Sequence, residues 1–247
     1  MGKPYYQGQI YLSIGNYQKA LSFFAQATEA DPNDHMAWNQ IGVCQDHLGN
    51  HMAAVEAYLR ANHLKPDIPE IHLNVGLTYM HMGAWDDAEK AFKNALQMKP
   101  DFPSAYYNLG SVYLRQGKYG YAVECFNRAV QILPDYFEAA YNLGIAYVKL
   151  TSWHKAMEAF QRTIQIKSDF LEAYLSLASV YKKQQRYPEA IEVLRKAGEL
   201  RPGLDHIHYN LVLAYLQQGD RGAASAEYNE LRNMQSPLAE RLQKYFP

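Results

Sequence analysis

The sequence predicts an all-α fold built as a stack of seven similar helix pairs. Three columns of residues recur every 34 positions along the 247-residue chain, and a fixed period of this length is typical of solenoid proteins. The proline column is interrupted only by Ser168 and contains Pro32, Pro66, Pro100, Pro134 and Pro202. The alanine column is continuous and contains Ala20, Ala54, Ala88, Ala122, Ala156, Ala190 and Ala224. Four positions later, aromatic or large apolar residues form a third column: Phe24, Tyr58, Phe92, Phe126, Phe160, Leu194 and Tyr228. Because the three columns keep one register, the period extends along the whole chain.

Each repeat is predicted to contain two helices joined by a short turn. In the fourth repeat, apolar residues at helical spacing mark a first helix over 104–116 and a second over 121–133. The second helix ends before Pro134, which cannot continue it. Between the two helices most repeats carry glycine, the residue that most easily takes the left-handed conformation ending a helix: Gly15, Gly49, Gly83, Gly117 and Gly219.

A second set of glycines lies inside the first helix of five repeats: Gly8, Gly42, Gly76, Gly110 and Gly144. Glycine inside a helix costs about 1 kcal/mol relative to alanine. A cost repeated five times requires a compensating gain. We therefore expect a close approach of the neighbouring helix at these positions.

The pattern resembles that of the tetratricopeptide repeat (TPR) family. The resemblance covers residues 2 to about 235, and the fourth repeat shows the whole motif: Tyr106, Leu109, Gly110, Tyr113, Ala122, Phe126, Ala129 and Pro134. It implies a right-handed superhelical solenoid of antiparallel helix pairs. It also implies a concave groove, lined by the first helices, in which most members bind peptides or partner proteins.

Continuous periodicity predicts one domain, 1–247, without an internal linker. Its repeats fall near 1–34, 35–68, 69–102, 103–136, 137–170, 171–204 and 205–236, and a capping helix is expected over 237–247. Leu238, Leu242 and Tyr245 would share one face of that helix. The first repeat is irregular, because Gln7 interrupts an apolar column. It is either an exposed cap or the start of a piece cut from a longer array.

Net charge, apolar runs and cysteine content indicate which partners and which cellular location the sequence favours. The formal net charge is −1, so no global field attracts nucleic acid, and we expect no nucleic-acid partner. No apolar run approaches the roughly 20 residues that span a bilayer, and no signal segment is evident, which favours a cytoplasmic protein without direct membrane insertion. Cys44 and Cys125 lie in different repeats and are expected to be reduced core thiols.

Two ladders of residues on the first helices are the candidate peptide-binding surface. The first ladder contains Asn39, Leu73, Tyr107, Tyr141, Leu175 and Tyr209, and the second contains Gln40, Asn74, Asn108, Asn142, Ser176 and Asn210. An amide both donates and accepts, so a row of amides can pair with the backbone of an extended peptide while nearby rings cover its side chains. Similar asparagine ladders occur in peptide-binding members of the family. The alternative is that these asparagines satisfy groups of the neighbouring repeat.

Charges near the ends of the first helices form a candidate basic rim: Arg115, Lys149, Lys182 and Lys183. A basic residue at the C-terminal end of a helix interacts favourably with the helix dipole, by about 0.3–1 kcal/mol. This interaction explains the position of these residues without a bound ligand. They could also attract an acidic partner segment. The carboxylate clamp of chaperone-binding members is missing at the corresponding positions, which hold Tyr5, Gln9, Gln40, Glu70 and Asn74.

The sequence favours a noncatalytic scaffold with no cofactor, no metal and no catalytic residues. His47 and His51 are separated by a helix break, so they do not share a helix face. His47, His81 and Asp46 could together ligate a divalent ion, although solvated rim residues are the favoured interpretation. No phosphate loop, zincin motif or nucleophile elbow is present. The preferred function is binding an extended partner segment in the groove. The alternatives are self-association through the ends or convex face, and service as the targeting or regulatory repeat domain of a larger enzyme.

Overall fold

A computed structural model describes residues 2–246, which contain fifteen α-helices, one 3₁₀ turn and no strand. Met1, in the predicted first repeat, and Pro247, at the end of the predicted capping segment, lie outside the described residues. The helices follow one another in pairs joined by short turns, which confirms the all-α fold class and the period of the repeat.

The chain divides into two compact units, Met1–Pro134 and Asp135–Pro247. In the first unit, the first helices of the pairs are α1 (Lys3–Ser13), α3 (His35–His47), α5 (Pro69–His81) and α7 (Pro103–Arg115). Their partners are α2 (Tyr17–Ala30), α4 (His51–Leu64), α6 (Trp85–Met98) and α8 (Tyr119–Ile132). Besides the contact within each pair, α3 contacts α5 and α5 contacts α7, so the first helices of successive repeats lie side by side.

The second unit continues the same pattern. Its first helices are α9 (Phe137–Lys149), α11 (Leu171–Lys183) and α13 (Asp205–Gln218). Their partners are α10 (Trp153–Ile166), α12 (Tyr187–Leu200) and α14 (Arg221–Asn233), and a short α15 (Leu238–Leu242) follows. That all seven pairs act as one domain stays a prediction.

The five glycines inside first helices contact the large aromatic residue of the paired second helix. A Cβ atom added to Gly76 would lie 2.5 Å from Cε1 of Phe92, and Phe92 is fully buried. A Cβ atom added to Gly144 would likewise lie 2.5 Å from Cε1 of Phe160. The predicted close approach is therefore confirmed, because any side chain at these positions would collide with a ring.

Turns inside the helix pairs use a residue with positive φ. Gly49 has φ +81° and Gly117 has φ +74°, which confirms the left-handed turn expected from glycine. The equivalent positions of the fifth and sixth repeats hold Thr151 at φ 56° and Gln185 at φ 58°. These two repeats therefore contain a strained backbone position that glycine relieves elsewhere.

Replacing Thr151 with glycine is expected to stabilise the protein by about 0.5–1 kcal/mol. The left-handed conformation costs a residue with a Cβ atom about 1–2 kcal/mol. Glycine removes that cost but loses about 0.5–1 kcal/mol more conformational entropy on folding. Urea denaturation measures the difference, and Gly117→Thr at the equivalent turn is the reciprocal control, which should destabilise. A destabilised Thr151→Gly variant would contradict the strain assigned to this turn.

Each unit is held together by local clusters that join neighbouring helices. Tyr58, Ile71 and Val75 share a cluster between α4 and α5, while Leu194 and Leu211 share one that reaches from α12 to α13. Contacts between neighbours in sequence dominate, as expected for a repeat array. The two cysteines are free and buried, in agreement with their predicted role as core thiols.

The C-terminal segment covers part of the last helix pair. Leu238 and Leu242 are buried against α13 and α14, whereas Tyr245 is 42% exposed. The chain leaves the α-helix at Leu242 and enters a 3₁₀ turn, so Tyr245 does not continue the buried face. Phe246 stacks on Tyr228 instead, with ring centroids 4.4 Å apart.

Candidate functional site

The ten predicted groove residues all lie on first helices and are all half-buried. The first unit carries Asn39, Leu73, Asn74, Tyr107 and Asn108, and the second carries Tyr141, Asn142, Leu175, Tyr209 and Asn210. Partial exposure is what the wall of a groove requires, because a buried residue could not reach a partner. That these residues form a peptide-binding groove stays a prediction.

In the first unit, several ladder amides are engaged with the protein itself. Asn74 Nδ2 donates to Oδ1 of Asn39, 3.2 Å away, which links the second ladder to the first across α3 and α5. Asn108 Nδ2 donates to the carbonyl oxygen of Ser104 on its own helix at 2.8 Å. These bonds support the alternative interpretation, in which some of the ladder asparagines form hydrogen bonds within the protein.

In the second unit, Tyr141 is held rigidly. Its ring packs against Phe160 and meets Phe170 edge-on, with centroids 5.6 and 5.1 Å apart. Its hydroxyl lies 3.2 Å from Oγ of Ser176 on α11. A large ring fixed at three points loses little entropy when a partner binds against it.

An apolar cavity of about 210 Å³ lies between α9, α10 and α11 in the second unit. Ile145 and Val148 line it from α9, Trp153 from α10, and Ser176 and Lys183 from α11. Tyr141, Ile145 and Val148 share one face of α9, as Ser176 and Lys183 share one face of α11. The Tyr141–Ser176 contact therefore lies toward one end of the cavity and Lys183 toward the other.

Two of the three predicted rim lysines, Lys149 and Lys183, are available to an anionic group. Lys149 and Lys183 are exposed last residues of α9 and α11, and within residues 2–246 neither forms an ion pair. Lys182 is half-buried, and burial lowers its pKa from the ordinary value. Its ammonium donates to Oδ1 of Asn210, whose Nδ2 donates to the carbonyl oxygen of His206 at 2.8 Å. Arg115, in the first unit, is exposed.

The candidate metal-ligating residues are arranged differently from the sequence-based grouping. The ring of His47 stacks on Tyr17 at 4.2 Å, and His51 takes its place beside Asp46. Asp46 Oδ1 lies 2.8 Å from His51 Nδ1, and its Oδ2 lies 2.9 Å from His81 Nδ1. His47 lines the same cavity as Asp46 and His81, but the cluster of ligand atoms contains His51 in its place, because α4 begins at His51 and carries that ring back over the end of α3.

Comparisons with known proteins address the fold. Family models described as TPR repeat or tetratricopeptide repeat match residues 5–69, 76–117, 103–136, 138–166 and 179–219. The crystal structure of MamA protein is 30% identical, with 67% of this chain and 91% of that chain covered and a TM-score of 0.64. The chain belongs to the tetratricopeptide repeat family.

Two further TPR structures are similar in fold. YrrB, described as a TPR protein with an unusual peptide-binding site, is 22% identical over 77% of this chain and 99% of its own, with a TM-score of 0.67. The C-terminal part of a TPR protein from Cytophaga hutchinsonii is 18% identical over 93% of this chain and 95% of its own, with a TM-score of 0.79. No curated protein matches the sequence significantly. Within residues 2–246, none of the TPR helices is both long and apolar enough to cross a membrane.

The strongly shifted titratable groups of this TPR chain have structural causes. Burial raises the pKa of Cys44 to about 11 and that of Cys125 to about 12, which disfavours a reactive thiolate at both positions. Burial also raises the pKa of Glu89, but hydrogen bonds from Lys93 and Lys118 outweigh it and lower the value to about 2. The two ammonium groups lie 2.7 and 3.1 Å from its carboxylate, so Glu89 is a fully paired structural charge.

Proposed function

We propose that this protein is a noncatalytic scaffold whose second unit binds an extended peptide segment of a partner protein along α9 and α11. The arrangement on these two helices supports the proposal. A rigid Tyr141, an apolar cavity and the unpaired Lys149 and Lys183 follow one another along the same surface. Membership of a family of protein-interaction repeats supports the same general function.

The chemistry of the surface defines the segment that fits it. A cavity of about 210 Å³ lined by Ile145, Val148 and Trp153 accommodates one apolar side chain. The lysines at the ends of α9 and α11 favour an acidic side chain or a terminal carboxylate beside it. We therefore expect an extended segment with an apolar residue adjacent to an acidic group, held partly through main-chain bonds to polar ladder residues such as Ser176.

A displayed peptide library tests this specificity. Selection on the full chain should enrich peptides that pair an apolar residue with a neighbouring acidic one. A photoreactive phenylalanine analogue placed at Leu175, on α11, should crosslink the selected peptides, because Leu175 belongs to the first ladder. The same analogue at Glu158, exposed on α10, is the matched control and should not. Crosslinking at Glu158 alone would place binding on the second helices and reject the proposal.

Self-association is a second candidate because α1 exposes an apolar stripe. Tyr6 and Ile10 on this helix, and Ile14 just after it, are 59%, 62% and 68% exposed and follow one another at intervals of four residues. Such a stripe can pair with another molecule. Light scattering over a range of protein concentrations distinguishes the two functions, since groove binding alone predicts a constant mass.

A further inference from the structure

We infer that Asp46, His51 and His81 form a binding site for one divalent transition-metal ion, Zn²⁺ or an ion of similar ligand preference. The three residues come from separate helices of the first unit: the end of α3, the start of α4 and the end of α5. The site would tie the second repeat to the third and lies outside the peptide surface of the second unit.

The donor atoms already converge. One ligand atom from each residue lies within 4.8 Å of the other two. Asp46 meets both imidazoles at Nδ1, with Oδ1 toward His51 and Oδ2 toward His81. In a tetrahedral zinc site with metal–ligand distances of about 2.0–2.2 Å, neighbouring donors lie roughly 3.3 Å apart. The Nδ1–Oδ separations of 2.8 and 2.9 Å need to open by only about half an ångström to admit a metal ion.

The site is sheltered yet accessible. The Asp46 side chain is 12% exposed, whereas those of His51 and His81 are 30% and 56% exposed. A cavity of about 180 Å³ beside the site is lined by Asp46, His47 and His81, and it leaves room for a water molecule as a fourth ligand. A 2.9 Å bond from Asn50 Nδ2 to Gln45 Oε1 braces the turn between α3 and α4, directly before His51.

The sequence provides an independent argument, because two of the three residues depart from their repeat columns at once. At the position of Asp46, most other repeats have an apolar residue: Leu12, Met80, Leu114, Val148 and Leu216, with Lys182 as the exception. At the position of His51, most have an aromatic ring: Tyr17, Trp85, Tyr119, Trp153 and Tyr187, with Arg221 as the exception. An acid and an imidazole therefore replace packing residues in one repeat, and their side chains meet. Imidazole and carboxylate together suit Zn²⁺ and neighbouring metals better than they suit Ca²⁺ or Mg²⁺.

Isothermal titration of the 247-residue chain with ZnCl₂ tests the inference. Wild type should bind one Zn²⁺ per chain, and excess Zn²⁺ should raise its Tm until a chelator is added. His51→Gln and His81→Gln should each weaken binding at least about 10-fold, since even the loss of an outer-shell partner commonly costs 10–100-fold.

His47→Gln, adjacent in sequence but stacked on Tyr17, should bind as wild type. His208→Gln is a second control and should also bind as wild type. His208 Nδ1 lies 2.7 Å from Glu227 Oε2, a distance similar to those at Asp46. Within residues 2–246, however, this pair belongs to no cluster of three candidate ligands.

A spectroscopic measurement on wild type avoids dependence on variants that fold poorly. Long-range ¹H–¹⁵N spectra should show two imidazoles whose Nδ1 becomes metal-bound when Zn²⁺ is added, and Co²⁺ should produce visible absorption typical of a four-coordinate site. Absence of Zn²⁺ binding by wild type would overturn the inference. So would binding that survives in both His51→Gln and His81→Gln, or ligation through His47.

Discussion

Gly76→Ala is expected to lower the free energy of unfolding by up to about 2 kcal/mol. The added Cβ would lie 2.5–2.8 Å from three atoms of the Phe92 ring, which is fully buried. Overpacking of this kind costs about 1–3 kcal/mol. Alanine has a higher helix propensity than glycine, which offsets about 1 kcal/mol of the overpacking cost. Chemical denaturation monitored by circular dichroism measures the net effect.

A matched control separates the collision from the helix preference. Gly120 is also helical, in α8, but an added Cβ would meet no atom within 4 Å. Gly120→Ala should therefore leave stability unchanged or raise it by up to about 1 kcal/mol.

A double variant tests whether the Phe92 ring is the cause. In Gly76→Ala combined with Phe92→Leu, the smaller side chain should relieve part of the collision. The combined loss should then be smaller than the sum of the two single losses, with a coupling of about 0.5–3 kcal/mol. Additive losses, or a stable Gly76→Ala, would show that the two helices separate freely at this contact.

The repeated features of the fold could be predicted from sequence because each is seen several times. One glycine in a helix is ambiguous, but five at equal spacing, each sixteen residues before a large ring, indicate a packing contact. The positive-φ turns are equally predictable at Gly49 and Gly117. At Thr151 the residue type gives no signal, and only the register of the repeat identifies the turn.

Features that occur once were harder to predict. The partner of Asp46 depends on the path of the turn between α3 and α4, which brings His51 rather than His47 to the carboxylate. The departures of Asp46 and His51 from their columns were the available signal. The hydrogen bond that engages Asn108 depends on a side-chain rotamer that spacing does not reveal. Tyr245 was misplaced because a helical wheel assumes that the helix continues, whereas α15 ends at Leu242.

Tyr141→Ala is expected to weaken binding of the selected peptides by about 30-fold or more, because truncating a rigid aromatic anchor commonly costs about 2 kcal/mol or more. The ring also packs on Phe160 and Phe170, so Tyr141→Ala removes internal packing of α9 as well as the anchor. Tyr141→Phe resolves this point. It keeps the ring and removes only the contact with Ser176, so it should lose no more than the roughly 0.5–1.5 kcal/mol of one hydrogen bond. Calorimetric titration, with thermal melts of each variant, measures both effects.

Lys183→Glu tests whether the positive charge beside the cavity contributes to peptide binding. Reversing an exposed charge at the cavity should slow association with acidic peptides and reduce the dependence of affinity on salt. Lys155→Glu makes the same change of charge on α10, exposed but outside the cavity lining, and should leave binding almost unaltered. Because both variants change the net charge equally, a general field effect would weaken them alike. Equal weakening, or normal binding by Tyr141→Ala and Lys183→Glu together, would therefore remove the groove from consideration and favour association through the exposed stripe on α1.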